Sequence, residues 1–130
     1  MSDFKKLVVW QKAHALAVDG IKTAVRIRAK HFSSIKSQTV RAASSVPTNI
    51  VEGSGQDSRK EFCRFLRYSL NSAYELEYHW ILARDIEIIT LEDFERLNDK
   101  TTEVQRMLRG LIKRVRRFEQ EDERAREEPR

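Results

Sequence analysis

Apolar residues along this chain of 130 recur every three or four positions and almost nowhere every two. That is the period of a helix face, not of a half-buried strand. The pattern predicts four helices. The first spans about 7–29, with Trp10, His14, Ala17, Ile21, Ala24 and Arg28 on one stripe and Val18 and Val25 widening it. Gly20 sits inside it as a defect of about 1 kcal/mol against alanine. Ser33 and Ser34 are placed to cap the second helix, whose stripe is Ile35, Gln38, Thr39, Ala42, Ala43, Val46 and Ile50. Pro47 falls inside that stripe. Proline removes a backbone donor and crowds the carbonyl four residues back, here that of Ala43. The helix therefore either kinks near Ala43 or breaks and restarts. The apolar pattern continues to Ile50 and Val51, which favours the kink. Gly53-Ser54-Gly55 then ends it, because glycine accepts the left-handed terminal conformation.

Ser58-Arg59-Lys60-Glu61 opens the third helix as a capping box: the Ser58 hydroxyl takes one free amide and Glu61 reaches back to another. Phe62, Phe65, Leu66, Ser69, Ala73, Leu76, Trp80 and Ala83 follow at helical spacing, with no breaker before Ile86. Thr90 caps the fourth helix with Asp93 at its third position, and Phe94, Leu97, Thr101, Val104, Met107, Leu108, Leu111, Val115 and Phe118 form its stripe. Short connections between long helices make neighbours antiparallel. The expected fold is all-α, an antiparallel up-down-up-down four-helix bundle over 1–118 with its second helix kinked at Pro47. Residues 119–130 alternate charges with almost no apolar content, so they read as a charged C-terminal tail, frayed or disordered at its end.

Composition narrows this further. Four Gly and two Pro are too few for a turn-rich β fold, and the single Cys63 leaves no internal disulfide framework. No run of 18 apolar residues exists, and Leu7 to Trp10 is too short for a signal-peptide core, so the expectation is a soluble cytoplasmic protein without membrane contact. The net charge of +5 is unevenly spread. Residues 1–48 hold nine Lys/Arg against two Asp/Glu, 49–102 hold seven against eleven, and 103–130 hold nine against seven. A basic half joined to an acidic one either attracts nucleic acid or pairs unlike faces of neighbouring subunits.

Catalytic chemistry finds no foothold. His14, His31 and His79 are scattered, and there is no HExxH, CxxC or glycine-rich phosphate loop. A di-iron bundle needs two Glu-x-x-His pairs, whereas Glu75 precedes His79 by four residues and Glu77 by two. Cys63, beside Phe62 on a core-tending face, reads as a small buried hydrophobe. The expectation is no enzyme, no catalytic residue, no metal site and no cofactor.

Polar residues on apolar faces carry more. Arg41 and Glu52 are eleven apart on the second helix, about three turns, and so point the same way. With Asn49, and with Glu75 and Glu77 on the third helix, they are expected to form a structural polar network that fixes helix register. Tyr68, Tyr74, Tyr78 and Trp80 spread round more than one face of the third helix, so some should lie at a subunit interface, where such residues are enriched. Two basic stripes remain. Lys22, Arg26 and Lys30 are four apart on the first helix, and Arg106, Arg109, Lys113, Arg116 and Arg117 crowd the fourth, with no acid between Glu103 and Glu119. A charge run is usually a solvated face, but six Lys/Arg without an acid in a mixed surface make a candidate phosphate-binding ridge. No base-reading signature accompanies it.

Gln38-Thr39-Val40-Arg41-Ala42-Ala43 followed by Ser45-Val46-Pro47-Thr48-Asn49-Ile50-Val51-Glu52-Gly53 resembles the signature of the bacterial four-helix-bundle proteins encoded in intervening sequences of the 23S ribosomal RNA gene. Val9-Trp10-Gln11-Lys12-Ala13, Lys60-Glu61-Phe62, Phe65-Leu66, Ser72, Glu75-Leu76-Glu77 and Met107-Leu108-Arg109-Gly110-Leu111-Ile112 extend the likeness over roughly 4–115. Val40 stands where that family commonly has a basic residue, Asn71 where it has glycine, and Ile86-Glu87-Ile88-Ile89 where it has a Leu-Gly-Tyr-like turn. The resemblance implies a four-helix protomer assembled with itself into a ring, typically a pentamer, without known catalysis. A related bundle, the accessory protein of diversity-generating retroelements, binds its reverse transcriptase and nucleic acid. RNA or DNA, or a protein partner, are thus the implied partners besides the chain itself.

Overall fold

A computed structural model of the protein describes residues 3–28 and 30–129. Four helices account for most of them: α1 (Val8–Val25), α2 (Ser33–Ser54), α3 (Arg59–Asp85) and α4 (Leu91–Glu127). Short 3-10 turns at Phe4–Lys6 and Lys30–Phe32 precede α1 and α2. Each helix packs on its chain neighbours and α4 closes back on α1. The pairings are antiparallel: Ser45 meets Ser72 across α2 and α3, Trp80 meets Thr101 across α3 and α4, and Asp19 meets Arg96 across α1 and α4. This is the expected up-down-up-down bundle.

Helix starts follow the sequence at two of three predicted caps. Ser58 Oγ accepts from the Glu61 amide at 3.1 Å and Thr90 Oγ1 from the Asp93 amide at 3.0 Å. The second half of the Ser58 box does not form; Glu61 instead pairs with Arg64 at 3.1 Å. Ser33 and Ser34 do not cap α2, which starts at Ser33 itself with Phe32 before it and no side-chain cap. Helix ends depart more. The first helix stops at Val25 rather than near residue 29, with the Arg26 amide turning back to Thr23 and Ala24; Ala29 lies outside the described residues. α2 runs uninterrupted through Pro47, which excludes a break and restart there. Its terminal glycines do not use the left-handed region: Gly55 has φ −85°. Gly53 serves close approach instead, since a Cβ there would lie 2.9 Å from that of Phe65. After α3, Glu87 takes φ 63°. The amides of Glu87 and Ile88 donate back to the carbonyls of Arg84 and Ala83 at 3.0 and 2.9 Å, a Schellman ending with glutamate where glycine is unstrained.

The core stripe of α1 is rotated by one residue from the expected one. Val9, Ala13, Leu16, Ala17, Gly20, Thr23 and Ala24 are buried, while His14, Val18 and Val25 are exposed and Trp10 is only half-buried, stacked on His14. The true face carries Ala13, Ala17, Gly20 and Ala24 beside Leu16, and the Trp80 ring of α3 packs against it at Gly20. A Cβ on Gly20 would sit 3.0 Å from that ring, so Gly20 is a packing requirement and not a defect. Trp80 is fully buried and donates Nε1–H to Thr101 Oγ1 at 3.0 Å; the Thr101 hydroxyl donates on to the Leu97 carbonyl. Such a satisfied indole fixes the ring in one orientation.

On α4 the buried set is Phe94, Leu97, Thr101, Val104, Gln105, Leu108, Ile112 and Val115. Phe118, expected in the core, is exposed and lies under the Arg59 guanidinium. The reason is geometric: α1 begins beside Met107 and Leu111, so α4 has lost one flank by Phe118. The helix nevertheless continues to Glu127, beyond the boundary placed at 118, tied to α3 by the Arg59–Asp122 ion pair.

Candidate nucleic-acid interface

The exposed side of α4 between Glu103 and Glu119 borders α3 across an open groove of about 590 Å³. α4 supplies Arg109, Ile112, Lys113, Arg116, Arg117 and Gln120; α3 supplies Arg67, Leu70 and Asn71. Five cations and no carboxylate line it. The three- and four-residue steps of the α4 cations keep them on one flank. Arg67 and Asn71 stand one turn apart on α3 and face them. Among the described residues none of the five cations is in an ion pair. Arg109 instead donates to the phenolic oxygen of Tyr74 at 2.8 Å, a neutral partner that leaves its charge uncompensated.

Of the expected ridge, Arg109, Lys113, Arg116 and Arg117 are therefore gathered, and Arg106 is exposed on the same helix outside the groove. The α1 stripe does not join them. Lys22, Arg26 and Lys30 are exposed, but only Lys22 lies within α1. Arg26 borders the turn between α3 and α4 beside Glu87 and Asp93, at the opposite end of the bundle. The two stripes are separate sites: the α3–α4 groove has no carboxylate among its lining residues, whereas Arg26 shares its surroundings with Glu87 and Asp93. Arg67, Asn71 and Gln120 are additions that sequence reading missed. The available signal was a second stripe on α3 (Arg67, Asn71, Tyr74, Tyr78), on the side away from its apolar one.

The expected polar network does not form. Arg41 and Glu52 do share a side of α2, but it is the outer side, and both are exposed. Eleven residues fix relative direction, not which way the pair faces. Glu75 is exposed, 3.5 Å from His79, and Glu77 accepts from Gln105 at 3.0 Å. Asn49 donates to the Ser45 carbonyl and hydroxyl, both at 2.9 Å; Ser45 shares a 2.8 Å bond with Ser72, and Ser69 donates to the Val46 carbonyl at 2.7 Å. Small hydroxyls, not charges, thus register α2 on α3.

The charged register lock is elsewhere. Asp19 on α1 accepts from Arg96 through both oxygens, at 3.0 and 3.1 Å, and from Lys100 at 2.8 Å. Arg96 also holds Asp93 at 2.7 Å. The Arg96 hydrogen bonds, helped by Lys100, outweigh partial burial and hold the Asp19 carboxyl down at about 2. Cys63 is buried, which pushes its thiol up, away from nucleophilic use. Among the described residues no group of three or more His, Cys, Asp or Glu is arranged to hold a metal ion, and no helix is long and apolar enough to cross a membrane.

Fold and groove together define a four-helix-bundle protein with a cationic cleft on one helix pair. The family is settled by sequence: the 23S rRNA-intervening sequence protein family matches residues 5–110, and the chain belongs to it. A crystal structure of a protein of unknown function from the S23 ribosomal protein family of Bacteroides thetaiotaomicron is similar, at 30% identity and a TM-score of 0.77, over 82% of this chain and 99% of that one. No curated protein matches. Neither description names an enzymatic activity. The family match contains Arg67 and Arg109 of the groove and ends before Lys113, Arg116 and Arg117.

Proposed function

We propose that this is a non-enzymatic, homo-oligomeric helical-bundle protein of the cytoplasm that binds RNA or DNA phosphates through the α3–α4 groove. The observation that carries it is five cations lining one cleft without an ion pair among them. Like charges held together without counter-charges repel and are stabilised by a polyanion that releases its own counterions. With at most five phosphates neutralised, affinity for a single strand should fall about a hundredfold between 50 and 200 mM salt. Replacing Arg109, Lys113 and Arg117 with Glu should abolish retention in a filter-binding assay. No retention of ribosomal RNA or duplex DNA at low salt would end this reading.

The runner-up, a protein-interaction scaffold without nucleic acid, is favoured by one feature. Val18, Ile21, His14, Pro47 and Thr48 line a shallow and largely apolar depression between α1 and α2. Light scattering in rising salt separates the two modes of assembly: contacts made there persist, while contacts made between unlike charged faces dissolve.

A further inference from the structure

We propose that the α3–α4 groove is a single-strand site, with phosphates on its five cations and unstacked bases on Tyr74 and Tyr78. The inference rests on the phosphate-binding reading and names its substrate class. Both rings stand on α3 one turn apart, continuing the line of Arg67 and Asn71, and are 43% and 59% exposed. Their ring faces are therefore open for a base to stack on. Tyr74 is held at the groove's rim by the hydrogen bond its oxygen accepts from Arg109, so one ring and one cation are presented as a unit. Cations that follow a backbone beside aromatic faces that take bases are the combination used for unpaired strands.

Spacing separates single strand from duplex. Four residues of helix set the two rings about 6 Å apart along the axis, well over the ~3.4 Å base step of a stacked strand. Consecutive bases in a duplex are neither spaced to meet them nor free to turn their faces outward, whereas an extended strand with splayed bases is. Charge sets the direction as well. Past Tyr74 the surface turns acidic, with Glu75 exposed and Glu77 holding Gln105. The backbone is drawn to the Arg67, Lys113 and Arg117 end, and the rings remain for bases.

The test is fluorescence anisotropy on the full chain with labelled oligouridylate, the same strand paired with oligoadenylate, and oligodeoxythymidylate. Tighter binding of oligouridylate than of its duplex is expected. The double variant Tyr74→Ala/Tyr78→Ala should weaken single-strand binding by at least about tenfold, much more than it weakens duplex binding. Tyr78→Ala alone, which leaves the Arg109–Tyr74 hydrogen bond in place, should weaken single-strand binding with the salt slope unchanged, while Tyr78→Phe should restore it. Equal binding of the deoxy strand supports a site that reads base faces and phosphate alone; tighter oligouridylate supports one that also uses the 2′-hydroxyl. Wild-type affinity in the double alanine variant, with duplex still bound, overturns this inference and leaves phosphate binding standing. A change in particle size by light scattering without loss of affinity also overturns it, placing the tyrosines between subunits. Failure of every probe at low salt overturns both.

Discussion

The two long seams of α4 treat charge in opposite ways. Against α1, Asp19 sits half-buried between Arg96 and Lys100, with its oxygens fully engaged, and Lys12 meets Glu103 further along at 3.2 Å. Against α3, Arg67, Arg109, Lys113, Arg116 and Arg117 face one another across a cleft with no carboxylate lining it. The first arrangement is what a seam needs for register and gains from pairing. The second costs the folded state through repulsion and gains only when something anionic enters. The difference lies in grouping: one seam sets its cations against carboxylates, and the other gathers five cations in one cleft with no carboxylate among its lining residues.

Removing one charge should therefore act with opposite sign on the two sides. The largest effect is on binding: the triple reversal of Arg109, Lys113 and Arg117 to Glu should cost at least about a hundredfold in affinity for RNA at low salt. Its thermal stability should be equal to or above that of the parent protein, because repulsion is relieved. Loss of folding in that variant, read by circular dichroism, would show the groove to be structural.

On the other seam, Asp19→Asn should destabilise by about 2 kcal/mol at neutral pH. Because the folded carboxyl is held near 2 against an ordinary 3.8, the parent protein has this contribution in full above about pH 4. It should lose it as pH falls from there towards 2. Urea titrations at neutral pH and at pH 2 check this; the difference between parent and variant should vanish at the acid end. A smaller effect is expected at the turn closing that end of the bundle. Glu87→Gly should stabilise by about 1 kcal/mol, because φ 63° costs glycine nothing. The smallest is at Arg41 and Glu52, whose truncation to alanine should change stability by less than about 1 kcal/mol, as at any exposed site. Buried partners would have cost several times more.

Helix number, order and antiparallel packing were legible because the apolar period is helical throughout and two N-caps, Ser58 and Thr90, are written in local chemistry. What was not legible depended on neighbours. The bulky residues Trp10, His14 and Ile21 mark one stripe of α1 in sequence, yet the buried face lies one residue round, at Ala13, Leu16, Gly20 and Thr23, where Trp80 of α3, two helices away, packs on Gly20. Phe118 has core-like spacing, but no α1 remains beside it. Arg41 and Glu52 share a direction, as their spacing requires, but face outward, since spacing along one helix carries no information about the other three. At the candidate site the α4 cations were legible as an acid-free run. Their α3 counterparts, Arg67 and Asn71, were not, because α3 was read only for its apolar stripe. The α1 cations looked equivalent to those of α4 until antiparallel packing set them at opposite ends.

If the α3–α4 cleft takes phosphates, its five cations must release counterions on binding. The most direct measurement is the slope of log affinity for labelled single-stranded RNA against log salt, for the parent chain and the Arg109→Glu/Lys113→Glu/Arg117→Glu variant. Phosphate binding in the cleft gives a parent slope of about −3.5, the limit for five neutralised phosphates, and no measurable binding by the variant. Equal binding by both proteins, or none by the parent at the lowest salt, would contradict it.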